Sequence, residues 1–145
     1  MKITRKRVAI VGCGLVGATT AFSLETQGVC DEIMMIDINK ERAIGEMRDL
    51  DDSIEYLDRN VKVTTGTYAD CTDMDIIVIT AGAPPKPGQT RLDTLEVGAK
   101  ICESIVTYCI NYQGKSKGRS CPELCELHTL LIFLHFFSSY LQGKI

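Results

Sequence analysis

Residues 8–17 read "VAIVGCGLVG". Four apolar residues, Val8 to Val11, are followed by glycines at positions 12, 14 and 17. Glycine inside a regular element is destabilising by roughly 0.5–1 kcal/mol relative to alanine. Three of them directly after an apolar run mark either an ordinary turn or a place where backbone must come close to something. What flanks them decides between the two.

Upstream, Arg7–Val11 reads as a short buried strand. Downstream, Leu15–Gln27 has helical spacing, with Ala18, Ala21, Phe22 and Leu24 recurring on one side and Gly28 as a stop. Residues 32–37, "EIMMID", predict a second strand with an acid at its end. Residues 40–56 predict a helix carrying Ala43, Met47, Leu50 and Ile54 on one face. A short third strand is expected at 61–66, and a fourth, the most apolar, at 74–80. The segment "AGAPPKPGQT" at 81–90 reads as a loop. A helix follows at 91–106, with Leu92, Leu95, Ala99, Cys102 and Val106 on its inner face.

Strands alternating with helices need crossover connections, which are right-handed in nearly all cases and give a mainly parallel sheet. The expected fold is therefore α/β: a Rossmann-type sheet, mostly parallel, with helices on both faces. Such a sheet aligns the carboxyl ends of its strands along one edge, where ligands bind. The glycines then acquire a role as G-x-G-x-x-G between strand and helix. Gly12 permits the tight turn, Gly14 lets backbone approach a pyrophosphate, and Gly17 lets helix and strand pack closely. The helix N-terminus offers unpaired N–H groups and partial positive charge. Asp37, twenty residues past Gly17, ends the second strand. A carboxylate there accepts hydrogen bonds from a ribose diol and repels a 2′-phosphate, which points to NAD over NADP.

The segments "VAIVGCGLVGATTAFSL", "MMID", "GEMRDL" and "DIIVITAGAPPKPGQTRLDTL" resemble the NAD-dependent L-lactate dehydrogenases, within the wider lactate/malate dehydrogenase family. The likeness is nearly continuous from residue 6 to residue 106. It implies hydride transfer between NAD and a small 2-hydroxy or 2-keto acid. It implies a cofactor-binding set of Gly12, Gly14, Leu15, Val16 and Gly17 at the pyrophosphate, Asp37 at the adenosine ribose, and Thr80, Ala81 and Gly82 at the end of the fourth strand. It makes 83–91 a mobile active-site loop and Arg91 the catalytic arginine that polarises the substrate carbonyl. A guanidinium delivered by loop closure stabilises a developing alkoxide once water has left. The loop position that sorts substrates, usually Gln in lactate enzymes and Arg in malate enzymes, is Pro85 here. Gly98 also replaces a commonly polar residue.

The texture changes near residue 107. Residues 1–106 hold 17 acidic and 12 basic side chains, whereas 107–145 hold two and four. Six of the nine aromatics fall in the second segment. The family's Asn-Pro strand end, its Asp-x-x-Arg pair and its proton-relay histidine do not occur after Val106; His128 and His135 have unrelated neighbours. Measured against the resemblance, the Rossmann-type sheet is incomplete, and the chain is accordingly read as a partial NAD-binding domain at 1–106 and a divergent tail at 107–145. A reading-frame shift near codon 107 explains such a tail, and the nucleotide sequence would show it. The expected function is the NAD-binding part of an L-lactate dehydrogenase-like oxidoreductase, inactive by itself. The alternatives are a non-catalytic nucleotide-binding or subunit-interaction module, or a non-functional gene fragment.

In the tail, Cys121, Cys125, His128 and His135 have a spacing that fits no common zinc site, so no metal is expected. The apolar run at 127–141 has 15 residues, short of the ~18–20 of a spanning helix, so no membrane partner is expected. A net charge of −3 and a pI of about 5.4 give no footprint for nucleic acid. Seven cysteines without a secretory signal suit free thiols in the cytoplasm; Cys13, Cys30, Cys71 and Cys102 read as isolated small hydrophobes. The resemblance also implies an oligomer, so a homo-oligomer is in view, as is pairing with intact family subunits through the helix at 40–56.

Overall fold

The computed structural model describes residues 5–58, 60–83, 87–88 and 91–116, with side chains on the last helix described over 94–109. Four strands, β1 (Arg7–Val11), β2 (Glu32–Ile36), β3 (Lys62–Thr65) and β4 (Ile76–Ile79), form one sheet in the order β3-β2-β1-β4. Every pairing is parallel: Val8 lies beside Ile33 on one side and Ile76 on the other. The helices are α1 (Leu15–Gln27), α2 (Lys40–Ile54) and α3 (Arg91–Ser116), and a 3₁₀ helix, Tyr68–Asp73, precedes β4.

Strand sequences such as "RVAIV" and "IIVI" lack polar alternation because both faces of the sheet are covered. On one face Val8, Ile10, Ile33, Met35, Val63 and Val78 pack with Ala21 of α1 and with Ala43 and Leu50 of α2. On the other, Ala9, Val11, Met34, Ile36, Ile77 and Ile79 pack with Cys71 and Met74 and with Ile105 and Cys109 of α3. β1 is the central strand, fully engaged on both edges and both faces.

The α2 face is as expected, with Ala43 and Leu50 buried and Met47 and Ile54 packed against them. Asn39 starts that helix by accepting the Arg42 N–H at 3.2 Å. The other two helix faces differ from the sequence reading. In α1 the buried residues are Gly17, Ala21 and Glu25, while Phe22 is half exposed. In α3 the stripe is Ile105 and Cys109 with Ile101, Cys102 and Val106 partly covered, and Leu95 is exposed. That helix also runs on to Ser116 rather than stopping at Val106. Its inner face is set by where the sheet and the 3₁₀ helix lie against its later turns, which apolar spacing does not encode.

Among the described residues no helix is long and apolar enough to cross a membrane. The tail residues at 117–145, with the cysteine–histidine group and the apolar run, lie outside the described residues, as does Pro85.

Candidate functional site

β1 is joined to β2 through α1 on one face, while β4, on its other side, leads into α3 on the opposite face. This is a topological switch point, and the crevice at its carboxyl edge is where ligands bind in such sheets. The glycine turn occupies that edge.

Gly12 has φ +103°, a conformation that side chains rarely adopt. A Cβ there would also stand 2.6 Å from the Ala81 amide nitrogen. A Cβ on Gly17 would lie 1.9 Å from the Gly12 carbonyl oxygen and 2.8 Å from Thr80 Oγ1. Both are therefore glycine for internal reasons. Gly14 is different: a Cβ there would meet nothing within 4 Å. Its backbone is extended, φ −74°, and it caps α1 without a side-chain hydrogen bond. The first N–H groups of α1 have no side-chain cap, and no acidic side chain lies in the first turn.

The turn is tied to its neighbours by short bonds. The Gly12 N–H donates to Ile36 O at 2.7 Å, and Thr80 N donates to Val11 O at 2.8 Å. The Thr80 hydroxyl donates to Gly12 O at 2.7 Å. Thr80, at the end of β4, thus braces the turn through its hydroxyl. Asp37 sits just past β2 and accepts two backbone N–H groups, Cys13 at 2.7 Å on Oδ2 and Asn39 at 2.8 Å on Oδ1. Each carboxylate oxygen keeps a free lone-pair site. The carboxylate is thereby locked at the turn's rim, oriented by backbone rather than by a cation.

Cys13, inside the turn, is fully buried, and burial together with the Asp37 carboxylate pushes its thiol up to about 12. It stays protonated and takes no nucleophilic part. Two residues that the sequence reading missed support the site: the Cys13 amide and the Asn39 amide, which aim Asp37. No side-chain pattern signals them, because they act through backbone. Leu15 and Ile38 stand 87% and 95% exposed beside the turn, an apolar rim to an otherwise polar edge. Ala81 is partly covered and Gly82 exposed, both at the end of β4. Arg91 opens α3, while its side chain and most of the loop before it lie outside the described residues. The remaining sequence-selected residues, Val16 and Gly17, lie in the first turn of α1.

A parallel 3-2-1-4 sheet with a glycine turn, an uncapped helix N-terminus and a rim carboxylate at the switch point defines a Rossmann-type dinucleotide-binding fold. Residues 6–118 match the lactate/malate dehydrogenase NAD-binding domain, and the chain belongs to that family. An L-lactate dehydrogenase 3 of Bacillus cereus is 54% identical over 106 residues, covering 73% of this chain and 34% of that protein. An L-lactate dehydrogenase of Lactococcus lactis is 49% identical over 107 residues, with 74% and 34% covered. The chain spans about a third of the length of these relatives. Among solved structures, the ligand-bound minor L-lactate dehydrogenase of Enterococcus mundtii superposes with a TM-score of 0.73 at 41% identity, over 75% of this chain and 35% of that one. A malate dehydrogenase of Cryptosporidium parvum gives 0.66 at 33% identity, over 72% and 33%. The cofactor of the matched domain is NAD. The open cradle at Gly14 and the spare lone pairs of Asp37 fit it.

Proposed function

We propose that this chain is the coenzyme-binding part of an L-lactate dehydrogenase-like oxidoreductase acting on a small 2-hydroxy or 2-keto acid. The observation that carries the reading is the open space at Gly14 in front of the uncapped α1 terminus, with Asp37 at its rim. When bound, NAD supplies a carrier that accepts or donates hydride. Gly12, Gly14, Leu15, Val16 and Gly17 hold the pyrophosphate against backbone N–H groups. Asp37 takes the ribose hydroxyls on its free lone pairs and repels a 2′-phosphate. Thr80 keeps the turn in shape, and Ala81 and Gly82 border the crevice beyond it. Arg91, brought in by closure of the 83–91 loop, polarises the substrate carbonyl. Pro85 offers neither an amide nor a guanidinium, so this position selects no particular acid.

Reduction of a ketone also needs a proton, which a histidine titrating near neutrality supplies. His128 and His135 sit in no such motif. The 145-residue chain by itself is therefore a binder with little or no turnover. The sequence departs from the family's pattern over 107–145, a divergence we read as a frame shift checked by the nucleotide sequence, although its first residues, to Ser116, continue α3. The five free cysteines among the described residues suit a reducing cytoplasm, and pairing with a second subunit is the expected assembly.

Titration of the purified chain with NADH, followed by nicotinamide fluorescence with NADPH as control, tests the reading. Saturable binding that prefers NADH and is lost in Asp37→Ala is expected. No binding at millimolar NADH overturns it. NADH binding with no loss of NADH absorbance on adding pyruvate is the expected companion result.

A further inference from the structure

The 3₁₀ helix and α3 meet through two matched pairs of residues. At three residues per turn, Tyr68 and Cys71 stand on one face of the 3₁₀ helix. The Tyr68 ring stacks on Tyr108 of α3, with centroids 5.8 Å apart and planes within 15°. Beside that stack, the neighbouring Cys109 and Cys71 lie in one buried cluster between α3 and the 3₁₀ helix. Both are buried, in the same core as Met74 and Ile105. Cys71 is buried in the core as the small hydrophobe its sequence surroundings imply, but in the same cluster as a second thiol.

We propose that Cys71 and Cys109 form a reversible disulfide that clamps α3 to the 3₁₀ helix when the thiol pool is oxidised. This goes beyond the coenzyme-binding reading and does not depend on it. The geometry excludes the other described cysteines. Cys13 and Cys30 belong to the core on the opposite face of the sheet. Cys102 lies two turns earlier on α3, about 10 Å along the helix axis.

The pair is chemically asymmetric. The interaction between the two thiols holds Cys109 below the ordinary thiol value and drives Cys71 well above it. Burial and the nearby Asp70 add to the rise at Cys71. Cys109 is therefore the attacking thiolate and Cys71 the resolving thiol. With glutathione disulfide as oxidant, the Cys109 sulfur attacks one glutathione sulfur, breaks that S–S bond and expels one glutathione thiolate. Cys71 then loses its proton and attacks Cys109, expelling the second glutathione. Two protein thiols lose two electrons in total, and one glutathione disulfide becomes two glutathiones. Because both sulfurs are buried, exchange waits on local opening of α3. The bond would close a long segment of chain between residues 71 and 109, which restricts the unfolded state and raises the melting temperature.

The full chain is equilibrated across ratios of glutathione disulfide to glutathione, alkylated and digested, and its cross-linked peptides are mapped by mass. The expected result is a Cys71–Cys109 peptide pair, lighter by two hydrogens and reversed by dithiothreitol. It should be retained in Cys102→Ser, lost in Cys109→Ser, and accompanied by a higher Tm in the wild-type chain. Stable glutathione adducts without that pair, or cross-links that join other cysteines instead, would overturn the proposal. The wild-type map decides even if a variant folds poorly.

Discussion

Gly14 and Gly17 are one helical turn apart, yet an added methyl group should act on them in opposite ways. At Gly17 it would meet the Gly12 carbonyl at 1.9 Å, so the turn and α1 must separate. Gly17→Ala is expected to destabilise the chain by about 1–3 kcal/mol or more, read by urea unfolding. At Gly14 there is room, and φ is ordinary. Gly14→Ala should change stability by less than about 1 kcal/mol while weakening NADH binding, because the methyl enters the cradle. Equal NADH affinity in Gly14→Ala would remove the close-approach argument. Glu25 makes a different case. It is fully buried in α1, its Oε2 accepts from Ser53 Oγ at 2.8 Å, and Oε1 has no partner. Burial holds its carboxyl above the usual range, offset in part by Ser53. The folded chain therefore binds this proton more tightly than the unfolded chain. The stability it contributes is complete below the ordinary carboxylate value of about 4.3 and is lost as pH rises through the elevated folded pKa. Unfolding midpoints should fall as pH rises from about 4 toward neutrality, and Glu25→Leu should flatten that slope and stabilise the neutral-pH chain by about 1–3 kcal/mol. Ser53 then retains Leu50 O, at 2.9 Å.

At the scale of elements, α1 was legible in the sequence by extent and α2 by face, whereas α3 runs on to Ser116 past its expected end at Val106. The glycine stop at Gly28 marked where α1 ends, because capping is local chemistry, whereas the Asn39 cap of α2 emerged only in the structure. The inner faces of α1 and α3 were not legible. Leu95 belongs to an acceptable apolar stripe, but the wall that would cover it is not opposite; the wall lies opposite Ile105 and Cys109. Ile105→Ala should accordingly cost about 2–5 kcal/mol, and Leu95→Ala less than about 0.5 kcal/mol. Equal losses in denaturant unfolding would mean that α3 packs through the face its periodicity suggests. The 3₁₀ helix was not anticipated at all. It is closed by a Thr67–Asp70 capping box, with Asp70 Oδ2 accepting from Thr67 N at 2.8 Å and from Thr67 Oγ1 at 2.7 Å. That short signal sits inside a segment otherwise dominated by strand-like neighbours.

For the whole molecule, ligand and fold should stabilise each other. A coenzyme that binds only the folded chain adds RT ln(1 + [L]/Kd), about 2.7 kcal/mol at a hundredfold excess over Kd. NADH should raise the melting temperature in proportion to the logarithm of its concentration, and NADPH should do so less; matching shifts for the two would count against Asp37 as the discriminating group. The sequence by itself determined the α/β class, the strand and helix order, the glycine turn and the acid at the end of β2, because apolar runs, caps and turn residues are local and carry their meaning in short windows. Only the tertiary structure decided the rest. It showed that Thr80 braces the turn, that the Cys13 and Asn39 amides aim Asp37, that Glu25 is buried with a half-satisfied carboxyl, and that Cys71 meets Cys109. All of these but the Asn39 amide, a chain neighbour of Asp37, depend on which segments the parallel sheet brings together across 24 to 68 residues of chain, a pairing set by packing on both faces and not by any pattern along the sequence.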